Sequence, residues 1–299
     1  MSGLDLDYKQ EEWQIRYAEK KLDLIHLPPA FRESVDIRAR GGSKTFDTMQ
    51  VALYLASIGA QGIWFVAVKT QMEQPKKYMP KLVERSYLKY LIKDLNKESV
   101  SFITGGELRL INLTEDNARS PRADFVIYDE EARADNDAYH ASKPITSNSN
   151  LKLIFHISTA RKASLFEDNY LRIKRREIIQ KEQLVFERSW YEIGFLACNK
   201  EWYDEERIEL RKKGREWEFR QEHECSFELP TGAIFKNIIT DVYDDKGALK
   251  HPLNLDKSHI VSGLDWNPVG GHSIVSCIWT KERDAILITE AKRIAIGYT

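Results

Sequence analysis

Arg38-Ala39-Arg40-Gly41-Gly42-Ser43-Lys44-Thr45 follows the β-rich run Ser34-Val35-Asp36-Ile37 and leads into a helical pattern. Strand, glycine loop and helix in that order describe a phosphate-binding loop. The octapeptide departs from G-x-x-x-x-G-K-[ST] because Arg38 and Ser43 stand where the two glycines belong. What it keeps is chemically sufficient. Lys44 can reach the β- and γ-phosphates of ATP, Thr45 can put its hydroxyl on Mg²⁺, and Gly41 and Gly42 let backbone N–H groups close around the anion. A glycine turn with an exposed lysine remains the alternative for these eight residues alone, so the rest of the chain must supply the other parts of an ATPase.

The flanking pattern is that of an open α/β sheet. A helix is expected from Tyr8 to about Leu24, with Trp13, Tyr17 and Leu24 on one face and Pro28-Pro29 stopping it. After the loop, Met49, Ala52, Leu53 and Ala56 fall at i, i+3, i+4 and i+7 of a helix from Lys44 to Ile58, with Gly59 as its C′ residue. Ile63 to Val68, Asp124 to Tyr128 and Leu151 to Ile157 are continuous apolar runs, as expected for strands buried on both faces of a parallel sheet. Between them come a helical segment from Tyr78 to Leu95 and two short strands, Ser99 to Thr104 and Glu107 to Leu113, bridged by Gly105-Gly106. From Ser164 to about Phe227 the chain reads as helical and densely charged with no further buried strand, a helical lid subdomain. Residues 236 to 258 read as a linker, and the β pattern restarts as a meander at His259 to Asp265, Ser273 to Thr280 and Ala285 to Thr289.

The 299 residues include 42% hydrophobic side chains, ample for a globular core, and no run of about 18 apolar residues that would span a membrane. Cys198, Cys225 and Cys277 are too scattered for a disulfide framework or a zinc site, which suits a reducing cytoplasm. A net charge of −1 confines any nucleic-acid contact to a local patch. Arg161, Lys162, Arg172, Lys174, Arg175 and Arg176 form one candidate, against the plainer reading of a solvated helix face.

Asp129 follows a strand of large apolar residues, so its carboxylate falls at the strand's carboxyl end, able to hold Mg²⁺ together with Thr45. Glu130 is the candidate general base for the attacking water, with Glu131 next in line. Ser158 and Thr159 end the third buried strand, where they can sense the γ-phosphate and pass hydrolysis on to the lid. Arg40, inside the loop, can neutralise phosphate charge in cis. Arg119, expected in a loop before Ser120-Pro121, is preferred over Arg122 as the arginine that a neighbouring subunit would supply in a ring.

These residues resemble one family, the large terminase subunit of tailed double-stranded DNA viruses. The resemblance rests on Arg40-Gly41-Gly42-Ser43-Lys44-Thr45 as a deviant Walker A loop, Val126-Ile127-Tyr128-Asp129-Glu130 as Walker B, and Ile157-Ser158-Thr159-Ala160 as the coupling motif. Trp217 to Glu222 and Gly232 to Phe235 resemble the end of the family's ATPase domain, and Ile260 to Asp265 the strand that opens its nuclease domain. The resemblance implies a P-loop (RecA/ASCE-type) ATPase domain over residues 1–235, with helices on both faces of a mostly parallel sheet and a lid over about 164–235. It implies that 259–299 begin an RNase H-like nuclease in which Asp265 binds Mg²⁺ or Mn²⁺. It also implies an ATP-driven motor that moves double-stranded DNA into a procapsid in the infected host's cytoplasm. Its partners would be the portal protein, the small terminase subunit and further copies of itself in a ring.

Two departures stand out. Ser43 replaces a glycine that many relatives keep, and of the several carboxylates that such a two-metal nuclease needs, Asp265 alone is recognisable. The expectation is an ATPase with an incomplete nuclease. A helicase would build its site between two sheets, and a metabolite kinase would not call for Glu130 beside Asp129. A non-hydrolysing DNA- or capsid-binding protein with a relic P-loop predicts no turnover at all.

Overall fold

The computed structural model describes residues 12–119, 121–193 and 199–228, together with the backbone of three strands at 258–265, 272–280 and 285–294. The chain forms two compact units, Met1–Ile234 and Phe235–Thr299. The first opens with helix α1 (Glu12–Asp23), followed by β1 (Glu33–Arg38), α2 (Lys44–Ser57), β2 (Gln61–Val66), α3 (Glu73–Glu84), β3 (Ile92–Leu95), β4 (Ser99–Phe102) and β5 (Glu107–Asn112). Then come α4 (Glu115–Arg119), β6 (Phe125–Asp129), α5 (Asn136–Ser142), β7 (Leu153–Ser158), α6 (Leu165–Gln180), β8 (Val185–Arg188), α7 (Lys200–Lys212) and α8 (Glu216–His223).

Its eight strands make one sheet in the order β3-β4-β5-β2-β6-β7-β1-β8. The six from β5 to β8 run parallel, so the ends of β1, β6 and β7 share one edge, where an open α/β sheet takes its ligand. Burial explains the apolar runs: Val35, Ile37, Ile63, Phe65, Phe125, Ile127, Phe155 and Ile157 are all at or near 0% exposure between two layers of helices. α2 packs Met49, Ala52, Leu53 and Ala56 on this core, all at most 1% exposed, and ends where Gly59 takes φ +107°.

Two expectations needed correction. The helix expected from Tyr78 to Leu95 instead starts at Glu73 and stops at Glu84; a 3-10 turn and β3 follow. Asn96 causes the reversal, its Oδ1 accepting from the backbone N–H groups of Glu98 and Ser99 at 2.8 and 2.9 Å, which turns β3 back antiparallel onto β4. The segment from Ser164 is not wholly helical either. β8 lies within it and pairs in parallel with β1, which makes α6 a crossover helix. Val185 and Phe186 are buried but Glu187 is exposed, so four residues never make a continuous apolar run.

The second unit is an antiparallel sheet of β9 (Ser258–Asp265), β10 (His272–Thr280) and β11 (Ala285–Ile294) in the order β11-β10-β9. The proposed linker at 236–257 lies outside the described residues. No helix among the described residues is long and apolar enough to cross a membrane.

Gly62 on β2 lies opposite Phe125 of β6, and a Cβ there would stand 2.1 Å from the ring, which is fully buried. Gly62→Ala should therefore cost about 1–3 kcal/mol by overpacking, and adding Phe125→Leu should recover part of it. Urea unfolding midpoints of the single and double variants check this; equal midpoints for Gly62→Ala and the parent would show that the strands yield.

Candidate active site

The loop after β1 is built from below. Arg38, at a glycine position of the usual motif, turns inward: its Nε and Nη2 donate to the two carboxylate oxygens of Asp36 at 2.6 and 2.5 Å, and Nη1 donates to Asp47 Oδ2 at 2.6 Å. Nη1 also donates to the Gly42 carbonyl at 2.9 Å, which ties the guanidinium directly to the loop. Lys21 of α1 reaches across to Asp36 at 2.6 Å and Thr48 at 2.8 Å, and the rings of Trp13 and Tyr17 lie against the guanidinium at 5.4 and 5.7 Å. Both cations and both carboxylates are at most 1% exposed. Burial works to raise the Asp36 carboxyl, but the adjacent Arg38 and Lys21 charges and their hydrogen bonds hold it down at about 2.

Above this cluster Gly41 takes φ +81° and Ser43 φ +59°, and Gly42 donates its N–H to the Ala39 carbonyl at 2.9 Å. A Cβ on Gly42 would stand 2.9 Å from that same oxygen, so the tight loop excludes a side chain there. Lys44 Nζ lies inside the curve and donates to the Arg38 carbonyl at 2.8 Å.

Asp129, the last residue of β6, stands beside the loop. The Thr45 hydroxyl is 3.4 Å from both of its carboxylate oxygens, and the buried Trp64 indole on β2 donates to Oδ2 at 3.2 Å. Desolvation, reinforced by the Glu130 charge, pushes the Asp129 carboxyl up to about 7 against the opposing Trp64, Lys44 and Thr45 interactions. The donor set suits Mg²⁺: a hydroxyl and a carboxylate, both hard oxygens, close enough for one ion that keeps several waters. Glu130 follows at φ +54°, partly exposed, whereas Glu131 turns into the protein.

The structure thus brings together Gly41, Gly42, Ser43, Lys44, Thr45, Asp129 and Glu130. The Ser158 hydroxyl is buried and accepts from the Ala132 N–H at 3.2 Å. Thr159 instead lines a cleft of about 230 Å³ with Arg133, Arg161, Gln221 and Glu222. Arg40 is exposed; its backbone N–H donates to the Glu222 carbonyl at 2.7 Å, which fastens the loop to α8, and its charge acts on Glu206 and His223. Arg119 does not join the group. It ends the short helix α4, not a loop, and is paired with Glu115, while Arg122 reaches the Pro144 carbonyl at 3.4 Å. Asp265 ends β9 opposite Ser273, and Glu290 of β11 lies opposite Ser276. The basic run before and along α6 is largely committed within the chain, with Lys162 to Glu167, Arg172 and Arg176 to Glu33, and Lys174 to Glu187.

Sequence reasoning missed Arg38, Asp36, Asp47, Lys21 and Trp64. The alternation Asp36-x-Arg38 on one face of a strand was a usable signal, as was a charge at a glycine position. Nothing in the sequence pointed to Lys21 or Trp64, which arrive from other elements.

Two outcomes follow from these charges. Arg38→Met leaves two buried carboxylates short of a cation and should cost about 3–5 kcal/mol, read from denaturant unfolding; a loss near zero would show that Lys21 alone suffices. For Asp129 the folded carboxyl holds its proton up to about pH 7, whereas an unfolded aspartate releases it near ~4. Its contribution to stability is therefore complete below about pH 4 and lost as the pH rises through 7. In metal-free buffer at pH 8, Asp129→Asn should be more stable than the parent by roughly 1–3 kcal/mol, with the advantage fading toward pH 4. Equal thermal stability at pH 8 would place the carboxylate in a more polar setting than its burial indicates.

The family model described as "Terminase large subunit, T4likevirus-type, N-terminal" matches residues 44–240. No curated protein matches in sequence. Among solved structures, the large terminase ATPase domain of Thermus phage P74-26 superposes with a TM-score of 0.52 at 20% identity, covering 74% of this chain and 95% of that one. The HK97 bacteriophage large terminase gives a TM-score of 0.60 at 13% identity over 94% of this chain and 62% of its own length. The large terminase of a thermophilic bacteriophage in complex with ADP gives 0.53 at 11% identity, over 88% and 65%. These structures share the fold, and the family model spans both the loop helix and the Asp129-Glu130 strand end: the chain belongs to the large terminase subunit family.

Proposed function

We propose that this protein is the ATP-hydrolysing motor of viral genome packaging, translocating double-stranded DNA into a procapsid. The observation that carries the reading is the 3.4 Å approach of Thr45 to Asp129 beneath the phosphate loop, with Glu130 next in the chain. Family membership and the ADP complex of a structural relative support it.

In this reading Lys44 exchanges its bond to the Arg38 carbonyl, and the Gly42 N–H its bond to the Ala39 carbonyl, for phosphate oxygens, and the backbone N–H groups of Gly41 and Ser43 line the anion beside them. Mg²⁺, when bound with ATP at Thr45 and Asp129, supplies charge neutralisation to the phosphates. Glu130 orients the attacking water and takes its proton, which requires hydrogen-bond reach and an ionised carboxylate. Arg40 adds positive charge from within the loop. Arg119 acts across a ring interface in a neighbouring copy, which accords with its exposed position away from its own loop. Ser158 and Thr159 couple hydrolysis to the lid, because the first braces the turn after β6 and the second faces the cleft against α8.

Residues 1–235 form the ATPase domain, with the lid confined to the part of 164–235 that follows β8, because α6 and β8 belong to the main sheet, and 259–299 begin an RNase H-like nuclease domain in which Asp265 is a candidate ligand for Mg²⁺ or Mn²⁺. The portal protein, the small terminase subunit, DNA and further copies of the chain are the partners, in the cytoplasm of the infected host.

Lys44→Ala and Glu130→Gln should each lower ATP turnover at least ~100-fold, while Glu130→Gln still binds a fluorescent ATP analogue. Full turnover in Glu130→Gln would discard the base assignment. Absence of turnover in the parent chain with DNA and procapsid present would favour a relic P-loop in a binding protein.

A further inference from the structure

Glu131 is the third acid of Asp129-Glu130-Glu131, and its environment differs from that of the other two. Its side chain is fully buried. Oε2 accepts from His156 Nδ1 at 2.8 Å and Oε1 accepts from Asn169 Nδ2 at 2.7 Å. The first partner belongs to β7, two residues before Ser158, and stacks on Tyr128 with ring centroids 5.6 Å apart. The second belongs to α6. Asn169 is itself held, since Nδ2 also donates to the Tyr139 hydroxyl at 2.9 Å and Oδ1 accepts from Arg172 at 2.9 Å. With the carboxylate oxygen accepting, His156 carries a proton on Nδ1, and its Nε2 has no partner among the described residues.

The residue before it needs such an anchor. Glu130 sits at φ +54°, ψ +40°, a left-handed conformation that is unfavourable for a non-glycine residue and persists only where the surroundings impose it. On its amino side Asp129 is tied to the sheet by Ala67 N–H at 3.1 Å; on its carboxyl side Ala132 N–H is tied to Ser158 Oγ at 3.2 Å. The turn itself is closed by the Arg133 N–H on the Glu130 carbonyl and the Ala134 N–H on the Glu131 carbonyl, both at 2.9 Å; the Glu131 carboxylate is the side-chain hold that joins it to both β7 and α6.

We propose that Glu131 is a positioning residue: through His156 and Asn169 it imposes the left-handed turn that aims Glu130, and it links that aim to β7 and to the crossover helix α6. The inference rests on Glu130 acting in ATP hydrolysis. What Glu131 contributes is hydrogen-bond geometry, not proton transfer. Glutamine can reproduce it, donating from its amide to His156 Nδ1 once the imidazole moves its proton to the unpartnered Nε2, and still accepting from Asn169.

Full-length Glu131→Ala, Glu131→Gln and Asn169→Ala chains test this by two readouts. In steady-state kinetics Glu131→Ala should lower kcat about 100-fold, as expected for a misplaced catalytic group, with the Kd for a fluorescent ATP analogue unchanged within about two-fold. Glu131→Gln should recover kcat to within about three-fold of the parent, and Asn169→Ala should fall between. In crystal structures of the nucleotide-free variants, Glu130 should keep positive φ in Glu131→Gln and leave it in Glu131→Ala. A Glu131→Gln chain as inactive as Glu130→Gln would overturn the proposal, as would a Glu131→Ala chain in which Glu130 stays left-handed. If Glu131→Ala does not fold, Asn169→Ala decides: an unmoved Glu130 with full turnover rejects the idea. A parent without turnover defeats the ATPase reading, while the backbone readout still tests Glu131.

Discussion

Four charges buried beneath the candidate phosphate loop hold this site in shape. Lys21, Asp36, Arg38 and Asp47 come from α1, β1 and α2, and together they balance two positive against two negative side chains out of contact with water. Removing any one leaves a desolvated charge, which costs far more than the intact cluster stabilises. Because Arg38 also donates to the Gly42 carbonyl, the cluster transmits the positions of three elements into the loop. A phosphate loop normally relies on glycine at the position of Arg38. Here a buried guanidinium stands there, and Gly41 and Gly42 alone supply the unhindered backbone.

The neighbouring carboxylates show how position sorts chemically identical groups. Asp129 is buried with only an indole, a hydroxyl and a distant ammonium to offset its charge, so it holds a proton far above the usual aspartate range. Glu131 is as deeply buried but bonded to His156 and Asn169. Glu130, between them, sits in a left-handed turn and stays partly exposed. Three acids in a row therefore have three settings: one buried beside a hydroxyl, one partly exposed, and one buried and hydrogen-bonded to two other elements.

Much of the fold was legible in the sequence because burial on both faces of a parallel sheet writes long apolar runs, and β2, β6 and β7 all have them. β8 left no such mark, because two of its four residues are charged and it earns its place by pairing with β1. β3 was hidden by helical spacing in Tyr78 to Leu95, and the Asn96 turn decided against it. At the candidate site, Lys44, Thr45, Asp129 and Glu130 were singled out because phosphate chemistry demands those residue types at strand ends, and the fold places them side by side. Arg119 was expected in a loop, but its pairing with Glu115 one helical turn earlier extends α4 to include it.

Local chemistry, which residue types can bind phosphate or a hard cation and where strands must be apolar, is written in the order of the residues. That order sufficed for the sheet, its ligand edge and the resemblance to the large terminase family. Contacts between elements distant in sequence are not written there. Lys21 reaching Asp36, Trp64 reaching Asp129, and Glu131 reaching His156 and Asn169 exist only after β1, β2, β6, β7 and α6 have packed. Desolvation and pairing in that packed interior, and not residue type, set which carboxylate is raised above the usual range, which is hydrogen-bonded and which stays partly exposed.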